Sequence, residues 1–300
     1  MPYLCRVREL LIASLNSGSN GNCYYVGSPQ EAILVDAGLS CHETEARMAR
    51  LGLSMRHVKA IFISHEHSDH IKGLEVLAKK YQLPVYITLP TLRNSRLQLD
   101  AELVFPFQAD VPVQIGDLEI TGFPKYHDAA DAHSFVIARN GTTVGVFTDI
   151  GVPCQRLIHY FKQCHAAFLE ANYDLEMLDN GYYPFHLKRR IKGGRGHLSN
   201  AQALELFLEH RPAFMTHLLL AHLSKQNNCP QLVHELFSAQ AQETHVEVAS
   251  RYQESPLFSV IANTPAQKVP PPVFPAKAVK KKTAKRAVAP PKYIQTELLF

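Results

Sequence analysis

VKAIFISHEHSDH, residues 58–70, begins as an apolar run of strand length and passes without a break into His65-Glu66-His67-Ser68-Asp69-His70. The following IKGLEVLAKKYQ places Ile71, Leu74, Leu77 and Ala78 at helical spacing, so the polar hexapeptide spans a strand-to-helix junction. Alternation along an extended loop puts His65 and His67 on one side, with Asp69 and His70 turning away where the helix starts. Three imidazoles and a carboxylate this close together are donors that zinc-like or manganese-like ions select. A mononuclear site needs three or four donors. This loop alone nearly supplies them, which points to two adjacent metals.

Outward from the hexapeptide, the chain reads as blocks of strands with helices between them. RELLIASLNS and ILVDAG are apolar strand-like runs joined through the turn-rich GSNGN. A helix is expected from about His42 to Leu51, a short strand at PVYIT, and further strands in AELVF, VPVQIGDLEITGF, HSFVIA and TTVGVFTD. Next come a helix over 153–163, a strand at AAFLEAN, and a helix NAQALELFLEH that Ser199 can N-cap. AFMTHLLLAHLS supplies a last core strand, followed by a helix and HVEVAS. This pattern suits two stacked sheets flanked by helices better than a doubly wound parallel sheet.

The 300 residues are 46% apolar and 19% charged, enough to bury a sizeable core. No apolar run approaches the length of a bilayer span, and the N-terminus lacks the features of a secretory signal. The six cysteines, at 5, 23, 41, 154, 164 and 229, form no CxxC pair. These features disfavour a membrane protein, a secreted disulfide scaffold and a coiled coil, and make a reducing cytoplasm the expectation. The net charge of +4 is uneven. Residues 264–300 hold seven Lys and one Arg against one Glu, a local +7, which leaves −3 on residues 1–263. The same segment carries seven of the 19 prolines and no glycine. Such sequence cannot bury enough apolar area to offset its ordering entropy, so a disordered, extended linker is expected behind a globular body at 1–263.

The HxHxDH pattern resembles the signature of the metallo-β-lactamase superfamily, and the resemblance runs over most of residues 7–250. The family pattern has an Asp after the second strand, then HxHxDH, a lone His, a lone Asp and a last His. These fall on Asp36, on His65, His67, Asp69 and His70, on His127 in YHDA, on Asp149 in VFTDIG and on His222 in LLLAHLS. The loops GSNGN, HDA, GHLSN and AHLSKQNN are similar to those of the YycJ/WalJ-like branch, among the nuclease-type members. The resemblance implies an α+β fold, the four-layer αββα sandwich, and a dinuclear phosphodiesterase. By it, His65, His67 and His127 hold one divalent metal (Zn or Mn), Asp69, His70 and His222 hold a second, and Asp149 bridges both. Asp36 is expected behind them, fixing ligand orientation, and Asp69 can also orient water. The chain departs from the antibiotic-hydrolysing branch in having Asp69-His70 in place of a Cys-containing second site. It leaves no room for the inserted domain of the β-CASP nucleases. His133 competes as a ligand but ranks lower, because it opens the strand-like HSFVIA.

His197, in GGRGHLSN, is the candidate general acid. Histidine titrates near neutrality, and an imidazolium can protonate a departing oxygen. In the tRNA-processing relatives a His in a comparable loop is thought to play this part. Glu170 in FLEAN is expected to orient it. Lys188, Arg189, Arg190 and Arg195, in the basic run just before His197, are expected to meet a phosphate backbone. Asn227 and Asn228 on one rim, and Ser17, Ser19, Asn20 and Asn22 on the other, are further candidate substrate contacts. The last six residues, Gln295-Thr-Glu-Leu-Leu-Phe300, follow the pattern QxxLxF. It resembles the peptide by which bacterial replication and repair proteins dock on the sliding clamp, with Gln295, Leu298 and Phe300 as anchors. A flexible linker would then raise the enzyme's effective concentration at DNA. The resulting reading is a cytoplasmic, nucleoid-associated, metal-dependent 5′→3′ DNA exonuclease of repair or replication. The alternatives are a small-molecule hydrolase of thioesters or cyclic phosphodiesters, an RNA-processing nuclease, and a non-enzymatic DNA- or clamp-binding adaptor.

Overall fold

A computed structural model describes residues 9–262, and within them the strands sort into two mixed sheets. The first half supplies β1 (Glu9–Asn16), β2 (Cys23–Gly27), β3 (Ala32–Val35), β4 (Val58–Phe62), β5 (Val85–Tyr86) and β6 (Val104–Phe105), side by side in chain order. The second half supplies β7 (Val113–Ile115), β8 (Leu118–Pro124), β9 (His133–Arg139), β10 (Thr142–Phe147), β11 (Ala166–Glu170), β12 (His217–Ala221) and β13 (His245–Val248), ordered the same way. β14 (Phe258–Ile261) returns to the first sheet, antiparallel to β1.

Both sheets follow one plan. They are antiparallel from β1 to β3 and from β7 to β10, then parallel from β3 to β6 and from β10 to β13. Parallel neighbours require crossovers, and these carry the helices. α1 (Cys41–Arg50) follows β3, α2 (Ser68–Ile71) and α3 (Leu74–Tyr81) follow β4, and α4 (Leu89–Ser95) follows β5. In the second half α5 (Gln155–Phe161) follows β10, and α6 (Leu175–Asn180), α7 (Phe185–Lys192) and α8 (Asn200–His210) follow β11. α9 (Pro230–Ser238) follows β12.

Alternating side chains divide the apolar residues into three interfaces. Ile33 and Val35 of β3 face the opposite sheet, with Leu10, Phe62, Phe135, Val146 and Phe168 around them. Ala32 and Leu34 of the same strand face outward onto Met48, Leu74 and Leu77 of α1 and α3. In the second sheet Ala167, Leu169, Leu218 and Leu220 face outward onto Leu157, Phe161, Phe207 and Phe237 of α5, α8 and α9. Strands covered on both faces read as continuous apolar runs, and the product is the four-layer αββα sandwich.

Several elements differ from expectation. AELVF forms a 3₁₀ turn over Ala101–Leu103 and only two residues of strand. α4, α6, α7 and β14 were not anticipated, and α7 carries most of the basic run. Among the described residues no helix is long and apolar enough to cross a membrane, and Cys23, Cys41, Cys154, Cys164 and Cys229 are free thiols. The linker expected over 264–300 and the anchors Gln295, Leu298 and Phe300 lie outside the described residues.

Phe168 is fully buried between the sheets, its ring 4.9 Å from that of Tyr24. Phe168→Ala should destabilise the fold by about 3–5 kcal/mol, read as a lower urea midpoint at unchanged slope. A loss below about 1 kcal/mol would show that the two sheets do not pack there.

Candidate metal centre

The C-terminal ends of β3, β4, β10, β11 and β12 open on one edge of the sandwich, and each delivers part of the predicted set. Asp36 follows β3, His65–His70 follow β4, Asp149 follows β10, Glu170 ends β11 and His222 follows β12. Asp36, Asp149 and His222 all have left-handed backbone, with φ of 64°, 54° and 57°. This conformation is uncommon for residues other than glycine, and here it recurs at three strand ends that meet. The hexapeptide is clamped by backbone. Asn22 N–H donates to Asp69 O at 2.7 Å and Ala37 N–H donates to His70 O at 2.8 Å. Gly38 is required by this approach, because a Cβ there would lie 1.8 Å from the Asp69 carbonyl oxygen.

Two sets of donors share one carboxylate. His65 Nε2 and His127 Nε2 lie 3.1 and 3.3 Å from His67 Nδ1. Beside them, His70 Nε2 and His222 Nε2 each lie 3.5 Å from Asp69 Oδ2. Asp149 stands between the sets, with Oδ2 3.2 Å from His70 Nε2 and Oδ1 3.8 Å from His127 Nε2. Within the triads His65/His67/His127, Asp69/His70/His222 and His65/His70/Asp149, donor atoms fall within 4.8 Å of one another.

Every imidazole of the cluster except His67 is held from behind at Nδ1. His70 donates to Asp36 Oδ2 at 2.7 Å, His127 to the Gly196 carbonyl at 3.1 Å and His222 to Glu170 Oε1 at 3.0 Å. Ser64 Oγ donates to Asp36 Oδ2 at 2.9 Å, leaving its lone pairs to accept from His65 Nδ1 at 2.9 Å. A proton fixed on Nδ1 turns the Nε2 lone pair into the cluster, the arrangement a metal-binding histidine needs.

The charge balance also fits divalent ions. Asp36, Asp69, Asp149 and Glu170 face one buried ammonium, Lys125, whose Nζ donates to Thr148 O at 2.6 Å. With neutral imidazoles the group carries three uncompensated negative charges, and two divalent cations would turn that into one positive. Asp149 Oδ2 and His222 Nε2 are buried without a hydrogen bond, a rare and costly state unless something else engages them. In the absence of metal, protons do part of this work. Burial alone would discharge His70 and His222, but Asp149 with Asp36 and Asp69 holds His70 well above the usual histidine range. Asp149, Asp69 and Glu170 likewise push His222 up to about 10. Burial, with His70 adding to it at His65, pushes His65 well down and His127 to about 4, outweighing the pull of Asp149 on both.

Residues 31–222 match the family described as the β-lactamase superfamily domain. The chain belongs to that superfamily. It is 36% identical over 242 residues to the exodeoxyribonuclease YycJ of Bacillus anthracis, covering 80% of this chain and 92% of that protein. It is 33% identical over 225 residues to the exodeoxyribonuclease WalJ of Streptococcus pneumoniae, covering 73% and 84%. These place it in the YycJ/WalJ-like branch. Among solved structures, the metallo-β-lactamase fold protein YhfI from Bacillus subtilis superposes with a TM-score of 0.64 at 18% identity, over 84% of this chain and 99% of that one.

Around the superfamily cluster the remaining candidates separate. His133 opens β9, with Nδ1 2.9 Å from Asp131 O and its ring edge-on to Phe107, away from the cluster. His197 stands at the rim, Nδ1 held 2.8 Å from Glu170 Oε1, while Glu170 Oε2 accepts from the Ile150 and Leu198 amides at 2.6 and 3.2 Å. Asn22 is buried inside the centre, its amide 3.1 Å from Asp69 Oδ2 and 3.2 Å from His70 Nε2. Asn227 and Asn228 are also buried, and Asn228 exchanges hydrogen bonds with Asn200. Ser17 is buried and accepts from His222 N–H at 2.7 Å. Ser19 and Asn20 are exposed, tied to Arg251. Lys188, Arg189 and Arg190 lie on α7 and Arg195 in the turn before His197.

Sequence reasoning missed Ser64, Lys125, Asn172 and Asp128. Asn172 Nδ2 donates to His222 O at 2.7 Å. Asp128 Oδ1 lies 3.4 Å from His127 Nε2. Only Asp128 carried a signal, as an acid directly after a candidate ligand.

Metal uptake has to displace the protons that the acids hold on His70 and His222. Raising pH removes that competition, so affinity for Mn²⁺ or Zn²⁺ should rise with pH through neutrality, by up to about tenfold per unit for each proton released. Titration calorimetry near pH 7 in buffers of different ionisation heat should register those protons. A heat independent of the buffer would contradict the arrangement.

Proposed function

We propose that the protein is an exodeoxyribonuclease that removes nucleotides in the 5′→3′ direction with two divalent ions, in repair or replication. Superfamily membership makes it a metal-dependent hydrolase, and relatives at one-third identity or more bear the name exodeoxyribonuclease. The observation that carries the reading is a seven-donor cluster with a Glu170-backed histidine, His197, at its rim.

In this reading His65, His67 and His127 would hold one ion and Asp69, His70 and His222 the other, with Asp149 available to both and Asp36 fixing the orientation of His70. Divalent ions there supply Lewis-acid polarisation of a phosphoryl oxygen and a water acidic enough to attack at neutral pH. The chain's own groups do the rest. Asp69, the most exposed acid of the cluster, orients the water. His197 gives a proton from Nε2 to the departing oxygen. Glu170 compensates the imidazolium through Nδ1, and its second oxygen is already anchored by two backbone amides, so no reorganisation accompanies the transfer. Ser19, Asn20, Lys188, Arg189, Arg190 and Arg195 are the surface groups assigned to the DNA strand. Gln295, Leu298 and Phe300 are assigned to docking on the replication clamp, supported by their sequence pattern behind a Pro- and Lys-rich linker.

Incubation with Mn²⁺ and end-labelled DNA should release mononucleotides from the 5′ end. His67→Ala should abolish turnover. His197→Ala should lower kcat by about 10²–10⁴-fold while metal binding persists. Turnover confined to thioesters or cyclic nucleotides would replace the nuclease by a small-molecule hydrolase, and turnover confined to RNA would make it an RNA-processing enzyme. Deleting residues 294–300 should abolish capture by the clamp and spare turnover on free DNA. Undiminished capture would remove the clamp assignment alone.

A further inference from the structure

The crossover from β11 to α8 leaves the sandwich at the edge that carries the metal cluster, and its helix α7 has no buried residue. Tyr182, just before α7, is fully exposed, and Phe185, its first residue, is 80% exposed. Two large rings in water, one just before the helix and one opening it, add little to the fold, and α7 rests on it only through the half-buried Leu187 and Ile191. The segment is nevertheless fastened. Lys192 Nζ lies 2.5 Å from Asp179 Oδ1, and Lys188 Nζ donates to Asp179 O at 2.7 Å. Arg190 Nε reaches Asp128 Oδ2 at 2.5 Å, next to His127, and His197 N–H donates to Ile191 O at 3.0 Å. Phe185, Lys188, Arg189 and Lys192 line an open groove of about 610 Å³. Arg189 and Arg195 are exposed and make no ion pair among the described residues.

We infer that residues 182–195 grip the unpaired end of a DNA strand, Tyr182 and Phe185 stacking on its bases while Arg189 and Arg195 meet its phosphates. The inference rests on the nuclease reading and names its substrate class. A duplex hides base faces in its own stack, whereas phosphates are available on single and double strands alike. Cations therefore attract either form, and exposed aromatic rings reward only unpaired nucleotides. Base stacking on aromatic side chains tolerates any sequence, as a nuclease that moves along a strand requires. The strand is thus delivered single-stranded to a general acid that follows α7 by five residues.

The test compares binding of three labelled ligands to the full-length chain by fluorescence anisotropy, with EDTA present so that nothing turns over. The ligands are a single strand, the same strand with abasic residues, and a blunt duplex. The abasic strand keeps every phosphate, so attraction to the basic residues 264–300 cancels between it and the intact strand. The wild-type chain should bind the intact strand at least about tenfold more tightly than the abasic one. Tyr182→Ala/Phe185→Ala should lose that margin on the intact strand and match wild type on the abasic strand and the duplex. Arg189→Ala/Arg195→Ala should weaken all three ligands and flatten the salt dependence. Equal wild-type affinity for intact and abasic strands, or an undiminished margin in the aromatic double variant, would overturn the inference. Because no cleavage is read, the outcome is separate from whether the chain is a nuclease.

Discussion

Asp36, Asp69, Asp149 and Glu170 bring four carboxylates to one edge of a sandwich packed through three apolar interfaces. Taking a charge out of water costs several kcal/mol unless it is matched, so each acid can be sorted by what matches it. Asp36 receives the Ser64 amide, the Ser64 hydroxyl and His70 Nδ1. Glu170 receives two backbone amides and two imidazoles. Both are satisfied by the protein itself and stand behind the cluster. Asp149 is buried as deeply, yet Oδ2 has no hydrogen bond. Of these three acids, Asp149 is the one the protein's own hydrogen bonds match least, its nearest partner at Oδ2 being His70 Nε2 at 3.2 Å.

The same edge stores backbone strain. Left-handed residues other than glycine cost of order 1–3 kcal/mol each and persist only where their surroundings over-determine them. Asp36, Asp149 and His222 each adopt that conformation directly after, or one residue beyond, a strand buried on both faces. The three apolar interfaces of the sandwich hold those strands in register, and the turn at each end swings a donor across the edge instead of along the strand. Preorganisation of the cluster is thus maintained by packing far from it.

How much of this was legible follows from what a sequence pattern records. The hexapeptide was readable because its donors are contiguous and sit between an apolar strand and a periodic helix. His127, Asp149 and His222 are isolated residues, and only their order along the chain identified them. The strands were visible because burial on two faces makes them continuously apolar. α7 was not, since its eight residues offer only Leu187 and Ile191, both half-buried, as an apolar pair around the Lys-Arg-Arg run. Asn22 and Asn228 looked like surface amides, yet one supports Asp69 and the other cross-links to Asn200. Neighbourhood, not residue type, decides between those roles. Lys125 and Ser64 had no local signal at all, because their importance lies in charges and imidazoles contributed by other strands.

Fold and a set of candidate metal donors do not by themselves define a substrate. Selectivity has to come from the loops that rim the edge. Parts of those rims are committed: Ser17 and Asn22 are folded into the centre on either side of the exposed Ser19 and Asn20, and the loop after His222 is buried at Asn227 and Asn228. The β11–α8 crossover adds an exposed surface that is both aromatic and basic. It is tied to the body through Arg190 and Asp128, and its outer helix has no fully buried residue, so its exposed aromatic and basic residues can be exchanged with little disturbance to the strands. A surface that buries little of itself in the core is where substrate specificity can diverge while the chemistry stays fixed.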